Sequence, residues 1–211
     1  MQKITQQEVW NKISRKWKEF RVKPVKEAID FIKNKKGKIL DLGCGSGRNF
    51  AKIKGIIYGI DFSEKQLAHA REYAKKEKIK AVLIKARVEK LTFKNNFFDA
   101  AIFIAALHCI ESKEKRKKAL RELYRILKPE ADALITVWDK DQPKFKKSKK
   151  EIMLPWITDG KKYLRYYYLY DREELVQLVA TAGFKVIKVL NKDTKEGITS
   201  KRNIVIYVKK A

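Results

Sequence analysis

Three glycines directly after a short apolar run could hold a ligand against the main chain. Residues 39–42 are apolar apart from Asp41, and Gly43, Gly45 and Gly47 follow. Because glycine has no Cβ, a turn of this kind lets backbone N–H groups contact a bound molecule. A helical pattern begins near Asn49, so we expect a strand, a tight turn and a helix whose N-terminal dipole faces the ligand.

A second acidic residue stands where a nucleoside could be held. Residues 56–60 predict another strand, which ends in Asp61, 20 residues after Asp41. An acid at the tip of the second strand of a Rossmann-like unit accepts hydrogen bonds from ribose hydroxyls. The alternative is that Asp61 and Ser63 only cap the following helix.

The order Asp41-x-Gly43-x-Gly45-x-Gly47 resembles motif I of the class I S-adenosylmethionine-dependent methyltransferases, and the segment around Asp61 resembles their motif II. The resemblance implies that the glycine loop carries the methionine end of the cofactor and that Asp41 orients its ammonium group. The segment 86–93 resembles the family's adenine-binding segment, with Arg87 in place of the usual acid, so adenine contact falls to Glu89 or to the backbone. The resemblance implies a cofactor-binding set of Asp41, Gly43, Gly45, Gly47, Asp61, Phe62, Glu89 and Ala105.

The composition indicates one α/β domain with a basic surface. The chain has 211 residues and a net charge of +26, from 51 Lys and Arg against 25 Asp and Glu. The excess is spread along the chain, which favours a polyanionic partner over a Lys-rich composition of no functional meaning. The two cysteines lie far apart, so neither a disulfide framework nor a metal site is expected. We find no signal peptide and no membrane span, and expect a cytoplasmic protein.

The predicted elements form a single methyltransferase domain over 1–211. The resemblance implies a Rossmann-like, seven-stranded, mostly parallel sheet with helices on both faces and an antiparallel last strand. Two N-terminal helices within 1–36 would form a lid over the cofactor. A basic and aromatic insertion over 140–170 would face the substrate, beginning with a lysine-rich loop that predicts flexibility. Capping boxes are predicted at Thr5 and Asp171.

A narrower resemblance runs through nearly the whole chain. The segments Val9-Trp10-Asn11-Lys12-Ile13, Arg21-x-Lys23-Pro24, Ala105-Ala106-Leu107-His108, Pro155-Trp156 and Arg165-Tyr166-Tyr167 are similar to the tRNA methyltransferases that esterify 5-carboxymethyluridine at the wobble position. Cys109 and Val25 depart from that family's pattern. The resemblance implies tRNA, through its anticodon loop, as substrate, and a small zinc-ribbon activator subunit that extends the edge of the sheet. Its implied substrate-binding set is Lys23, Trp138, Trp156, Tyr166 and Tyr167.

The chemistry of such an ester requires orientation of the acceptor and no base. A carboxylate acceptor is already ionised near pH 7, and guanidinium is its natural partner. Arg21 and Arg165 are therefore the predicted catalytic cations, unless they are surface residues or only hold the lid. His108 would be a general base for a hydroxyl or ring-nitrogen acceptor, a hydrogen-bonding group for a carboxylate acceptor, or a packed core residue.

Two other functions stay open on the sequence alone. A small-molecule methyltransferase would have a closed apolar acceptor pocket and no salt-dependent affinity for tRNA. A non-catalytic RNA-binding protein of this fold would not bind S-adenosylmethionine, a possibility raised by Arg87. The tyrosines at 166–170 either cover the edge of the sheet or stack on an unpaired base.

Overall fold

The computed structural model describes residues 4–191 and 201–211. The expectation that the chain has no signal peptide concerns its N-terminus, of which residues 1–3 lie outside the described part. The elements are α1 (Gln6–Phe20), α2 (Lys26–Ile32), β1 (Lys36–Leu42), β2 (Lys54–Asp61), α3 (Glu64–Lys76), β3 (Ala81–Lys85), β4 (Phe98–Ile104), α4 (Lys113–Ile126), β5 (Leu127–Trp138), β6 (Glu151–Thr158), β7 (Lys161–Tyr168), α5 (Arg172–Thr181), β8 (Phe184–Leu190) and β9 (Asn203–Lys210).

Seven strands form one sheet in the order β3-β2-β1-β4-β5-β9-β8. Strands β1 to β5 pair in parallel, and β9 runs antiparallel to both β5 and β8. This confirms the predicted Rossmann-like sheet and its antiparallel last strand. Because the carboxyl ends of parallel strands meet at one edge, the residues that follow β1, β2, β4 and β5 converge there.

Helices cover both faces of the sheet. Helices α2 and α3 pack on one face against a cluster that includes Ile39, Ile57 and Ile102. Helices α4 and α5 pack on the other face, against Leu40 and Phe103. Alternate residues of β1 therefore point to opposite clusters, which is why its sequence is a nearly continuous apolar run.

A third layer lies over the carboxyl edge of the sheet. Strands β6 and β7 form a separate antiparallel hairpin. Helix α1 packs against this hairpin, with Trp10 and Ile13 of the helix and Tyr167 of β7 in one apolar cluster. The Thr5 side chain and Glu8 form the predicted capping box of α1. The N-terminal helix and the hairpin thus form one unit beside the site. Within the described residues, no helix is long and apolar enough to cross a membrane.

Two local expectations are wrong. No helix follows the glycine loop: residues 43–53 form turns before β2 begins at Lys54, because Phe50 is buried and the Asn49 side chain is bonded to the Val25 N–H instead of starting a helix. The Asp171 side chain does not cap α5, because Asp171 pairs with Lys150.

The lysine-rich segment after β5 also has more structure than its composition predicts. A 3₁₀ turn spans Pro143–Phe145, and the buried Phe145 ring stacks on Trp138 with centroids 5.4 Å apart. Lys140 Nζ donates to the carbonyls of Phe145 and Lys146, at 3.1 Å each. Burial of one aromatic side chain thus anchors a strongly basic segment to the site.

Candidate active site

A cavity of about 810 Å³ opens at the carboxyl edge of the sheet. Its floor comes from the residues that follow β1, β2 and β4, and from the ends of β5 and β9. Helix α1 and Tyr167 of β7 form the opposite wall. The size suits a nucleoside-containing ligand with an acceptor group beside it.

Only one of the three loop glycines opens space for a ligand. All three have positive φ, of 72° at Gly43, 54° at Gly45 and 76° at Gly47. A Cβ at Gly45 would meet a single neighbouring atom within 4 Å, Gln66 Oε1 at 3.9 Å. A Cβ at Gly43 would lie 2.5 Å from Ala106 Cβ, and one at Gly47 would lie 2.8 Å from the Phe50 ring. At Gly45 the missing Cβ thus leaves room in the cavity, whereas at Gly43, which also lines the cavity, and at Gly47 it permits the loop to pack.

Asp61 ties the glycine loop to the tip of β2. Its carboxylate accepts hydrogen bonds from the Gly45 N–H at 2.9 Å and the Ser63 N–H at 2.8 Å. Burial raises the pKa of Asp61 to about 6, although these backbone hydrogen bonds act in the opposite direction. The cap of α3 itself is the Ser63 hydroxyl, which accepts from the Gln66 N–H. Asp61 lines the cavity and presents a carboxylate suited to a diol.

Asp41 is a buried acid that lies beneath the loop. It is 1% exposed, and neither carboxylate oxygen has a hydrogen-bond partner among the described residues. Burial raises the pKa of Asp41 to about 8. The Gln66 amide, which lines the cavity, is likewise buried and without partners in this part of the chain. Such groups fit a ligand that brings an ammonium and a carboxylate.

The opposite end of the cofactor cavity fits a flat base. Phe62, Arg87, Val88 and Glu89 line it. Ala105, at the tip of β4, has a φ of 53° and donates its N–H to Thr136, which fixes the turn between the two ends. The predicted cofactor residues therefore surround one cavity, with Asp41 and Gly47 just behind its wall, and these groups together fit S-adenosylmethionine.

His108 is a buried neutral imidazole. It is 1% exposed, and its Nδ1 accepts the Trp138 N–H at 3.0 Å. Burial lowers the pKa of His108 to about 3, and the nearby Arg21 acts in the same direction. With Nδ1 accepting, the proton of the neutral ring is on Nε2. In this state His108, which lines the cavity, can donate a hydrogen bond from Nε2 and has no free ring lone pair to act as a base.

Two guanidinium groups lie beside the aromatic wall of the cavity. Arg21 lines the cavity, and its guanidinium lies 5.2 Å from the ring centroids of Trp17 and Phe20. Arg165 is 6% exposed and lies behind Tyr167, whose hydroxyl accepts from Arg165 Nη1 at 2.8 Å. In the described part of the chain neither forms an ion pair, and the Nε atom of each is buried without a partner.

The predicted substrate residues divide into two groups. Trp138 and Tyr167 line the cavity and stack face to face, with centroids 4.2 Å apart and planes 11° apart. Trp156 lies outside the wall, edge-on to Trp17 at 5.3 Å. Tyr166 accepts from the buried Arg116 at 3.0 Å, and Lys23 is exposed, with its carbonyl bonded to Arg48. The first two contact the cavity directly, and the other three lie around it.

Several wall residues had no signal in the sequence. These are Gln66, Arg48, Lys115, Lys201 and Arg202. Gln66 is one of several polar residues of a helical segment, and the four cations resemble the many other Lys and Arg residues of the chain. Burial lowers the pKa of Arg48 to about 10, which only the folded environment reveals.

The sequence and fold match known methyltransferases. Residues 40–135 match the family described as "Methyltransferase domain". A putative methyltransferase of Encephalitozoon cuniculi is 31% identical over 158 residues, covering 71% of this chain and 70% of that protein. A tRNA (carboxymethyluridine(34)-5-O)-methyltransferase of Schizosaccharomyces pombe is 25% identical over 210 residues, covering 86% of this chain and 89% of that protein.

The solved structure of a SAM-dependent methyltransferase from Methanosarcina mazei superposes with a TM-score of 0.69 at 20% identity, covering 89% of this chain and 98% of that one. At that identity the likeness concerns the fold alone. The chain spans about a quarter of the length of several further relatives it matches.

Proposed function

Because this chain belongs to the class I S-adenosylmethionine-dependent methyltransferases, we propose that it esterifies the carboxymethyl group of 5-carboxymethyluridine at the wobble position of tRNA. The observation that carries the proposal is Arg21, which lines the cavity and has no acidic partner among the described residues. Enclosing a guanidinium, even partly, without a counter-ion is costly, and Arg21 is half-buried. An acceptor that brings a carboxylate removes that cost.

The state of His108 agrees with an acceptor that needs no base. A hydroxyl or ring-nitrogen acceptor requires a group that removes a proton, whereas the neutral His108 presents an N–H and uses its other nitrogen to hold Trp138. A carboxylate has an ordinary pKa near 4 and is ionised at neutral pH. The site therefore suits an anionic acceptor.

The residues of the chain act by positioning. Bound S-adenosylmethionine supplies a methyl group on a positively charged sulfur. Arg21 orients the acceptor carboxylate, and Arg165 holds Tyr167, and through it the aromatic wall, in place. Such orientation of two reactants contributes roughly 7–11 kcal/mol in favourable cases. The Trp138–Tyr167 stack excludes water from the same side of the cavity.

An RNA substrate is supported by charge and by aromatic surface. The net charge is +26, and the lysines after β5 lie next to Phe145, which continues the stack of Tyr167 and Trp138. Phosphates bind such cations without regard to sequence, and an unstacked base binds aromatic rings. Relatives named as tRNA carboxymethyluridine methyltransferases point in the same direction.

We also propose a small zinc-ribbon activator protein as a partner, and the cytoplasm as the place of action. Among the described strands, β3 pairs with β2 alone and is an edge of the sheet. Val82 on this strand is 39% exposed, and Ile56 on β2 is 36% exposed. An apolar, unpaired edge strand can accept a further strand from another chain.

The test is methyl transfer to tRNA that carries unesterified carboxymethyluridine, with and without a zinc-ribbon protein. We expect labelled methyl groups on the tRNA that mild alkali releases. Alkali-stable label would refute the ester while keeping a methyltransferase. No label on tRNA, despite cofactor binding and added partner, would indicate a small-molecule acceptor.

The arginines provide the matched variants. We expect Arg21→Gln to lower kcat/KM about 10- to 100-fold, the effect of losing one hydrogen bond between charged groups. Arg15→Gln is the control, because Arg15 lies on α1, the helix that Arg21 directly follows, but is exposed and paired with Asp159. Equal activity of the two variants would contradict the role of Arg21.

A further inference from the structure

Two side chains of opposite charge stand together on the cavity wall near Phe62. Arg87 and Glu89 both line the cavity, and Arg87 Nη1 lies 3.6 Å from Glu89 Oε1. The Arg87 guanidinium lies 5.7 Å from the centroid of the Phe62 ring. A donor group and an acceptor group thus border one aromatic surface.

The chain order connects this pair to the base of the cofactor. Asp61 lies at the tip of β2, where an acid binds ribose hydroxyls in folds of this type. Phe62 directly follows Asp61 and lines the same cavity. A base attached to a ribose at Asp61 would occupy the part of this cavity that Phe62, Arg87 and Glu89 also line.

The two side chains differ in exposure in a way that suits this task. The Glu89 side chain is 14% exposed and the Arg87 side chain is 51% exposed, so the carboxylate lies inside and the guanidinium reaches in from the rim. The ion pair leaves further N–H groups on Arg87 and the second oxygen of Glu89 available. Adenine presents an amine donor at N6 beside an acceptor at N1, which is the complementary pattern.

We propose that Arg87 and Glu89 together recognise the adenine of the cofactor, with Glu89 accepting from the N6 amine and Arg87 donating to N1. Arginine has no acceptor, so Arg87 cannot receive the amine, and Glu89 supplies that function two residues further on. Arg87 holds the Glu89 carboxylate in position through the ion pair and adds a contact of its own. This inference concerns the cofactor, so it stands whether the acceptor is tRNA or a small molecule.

Direct binding tests the role of Arg87. Calorimetry would measure S-adenosylhomocysteine and its 1-deaza analogue, in which a C–H replaces N1. We expect the unaltered protein to bind the analogue about tenfold more weakly, the effect of one hydrogen bond to a charged group at a half-exposed position. Arg87→Ala should bind both compounds with affinities within threefold of each other. Lys90→Ala is the control, because Lys90 is exposed on the same segment.

A second variant tests Glu89. The unaltered protein should prefer S-adenosylhomocysteine over S-inosylhomocysteine, whose O6 is an acceptor, by about 100-fold. Glu89→Gln should reduce that preference to about tenfold or less, because an amide can donate to O6. Thermal unfolding should show that all variants remain folded. The proposal is overturned if Arg87→Ala weakens both compounds of the first test by the same factor, or if Glu89→Gln keeps the full preference.

Discussion

Replacing His108 with glutamine tests whether His108 acts as a base or only as a hydrogen-bonding group. The ring is buried and its Nδ1 accepts the Trp138 N–H at 3.0 Å. The glutamine amide oxygen can take over that bond, but glutamine cannot bind a proton in the neutral range. We therefore expect His108→Gln to keep the pH dependence of methyl transfer between pH 5.5 and 8.5 unchanged, with kcat lowered by about tenfold or less through imperfect positioning.

The size of the effect on stability follows from the buried position. The pKa of His108 is lowered to about 3 from an ordinary value of 6.5, so the unfolded chain binds a proton that the folded protein excludes. The stabilisation is complete above pH 6.5 and is lost progressively as the pH falls toward 3, at roughly 1.4 kcal/mol per pH unit. Between pH 7.5 and 4.5 this group alone should remove on the order of 2–3 kcal/mol from the free energy of unfolding.

The assay is urea unfolding of both proteins at pH 7.5 and 4.5, combined with the pH profile of kcat/KM. Acidification should destabilise the unaltered protein more than His108→Gln, by the 2–3 kcal/mol worked out above, because other groups titrate alike in both. The reasoning would be refuted if kcat/KM rises with an apparent pKa near 6–7 in the unaltered protein and this rise disappears in His108→Gln. That result would make His108 a base and remove the argument for a carboxylate acceptor.

Three further predictions follow from the cofactor loop and the surface. Burial raises the pKa of the Asp41 carboxyl from its ordinary value of 3.8 to about 8. The carboxyl therefore lowers the free energy of unfolding increasingly as the pH rises from 3.8 to 8. Asp41→Asn should therefore raise the free energy of unfolding at pH 8 by about 2 kcal/mol while weakening S-adenosylhomocysteine at least tenfold in calorimetry; unchanged affinity would contradict the assignment. Gly45→Ala should lower the free energy of unfolding in urea by about 1–2 kcal/mol and block cofactor binding. Gly47→Ala should be the more destabilising of the two, because its Cβ would lie 2.8 Å from the Phe50 ring. The reverse order of stability would contradict the packing argument. Charge reversal at the exposed Lys144 and Lys146 should weaken the salt dependence of tRNA binding while leaving cofactor affinity unchanged. The slope of log Kd against log salt concentration should fall by about one unit for each lost phosphate contact. An unaltered slope would place the RNA elsewhere.

The sequence was sufficient for most of the architecture. Strands β1, β2, β4 and β5 contain buried apolar runs, α4 carries its apolar residues on one side, and the glycine triplet marks the turn between β1 and β2. These features are local in the chain, since each depends on periodicity or on the absence of a Cβ. The order of the strands and the antiparallel β9 were expected from resemblance, and the pairing confirms both.

Some local predictions failed because distant contacts decided the structure. Asn49 bonds to Val25 instead of beginning a helix, and Asp171 pairs with Lys150 instead of capping α5. Phe145, in a segment that appeared featureless, is buried against Trp138. For Asn49 and Asp171 the partner is supplied by another part of the chain, outside any short window of sequence around the residue. For Phe145 the partner is near in sequence, but only the fold shows that the two rings stack.

The sequence by itself determined that residues 39–61 hold a cofactor loop and two acids at the proper spacing. Only the tertiary structure decided which groups face the cavity: Gly45 does and Gly47 does not, and Arg21 does whereas Arg165 lies behind Tyr167. It also brought Arg87 beside Glu89 and made His108 a neutral donor. The reason is that spacing along a strand or loop fixes where a backbone group lies, whereas the burial, charge state and direction of a side chain depend on the elements that pack around it.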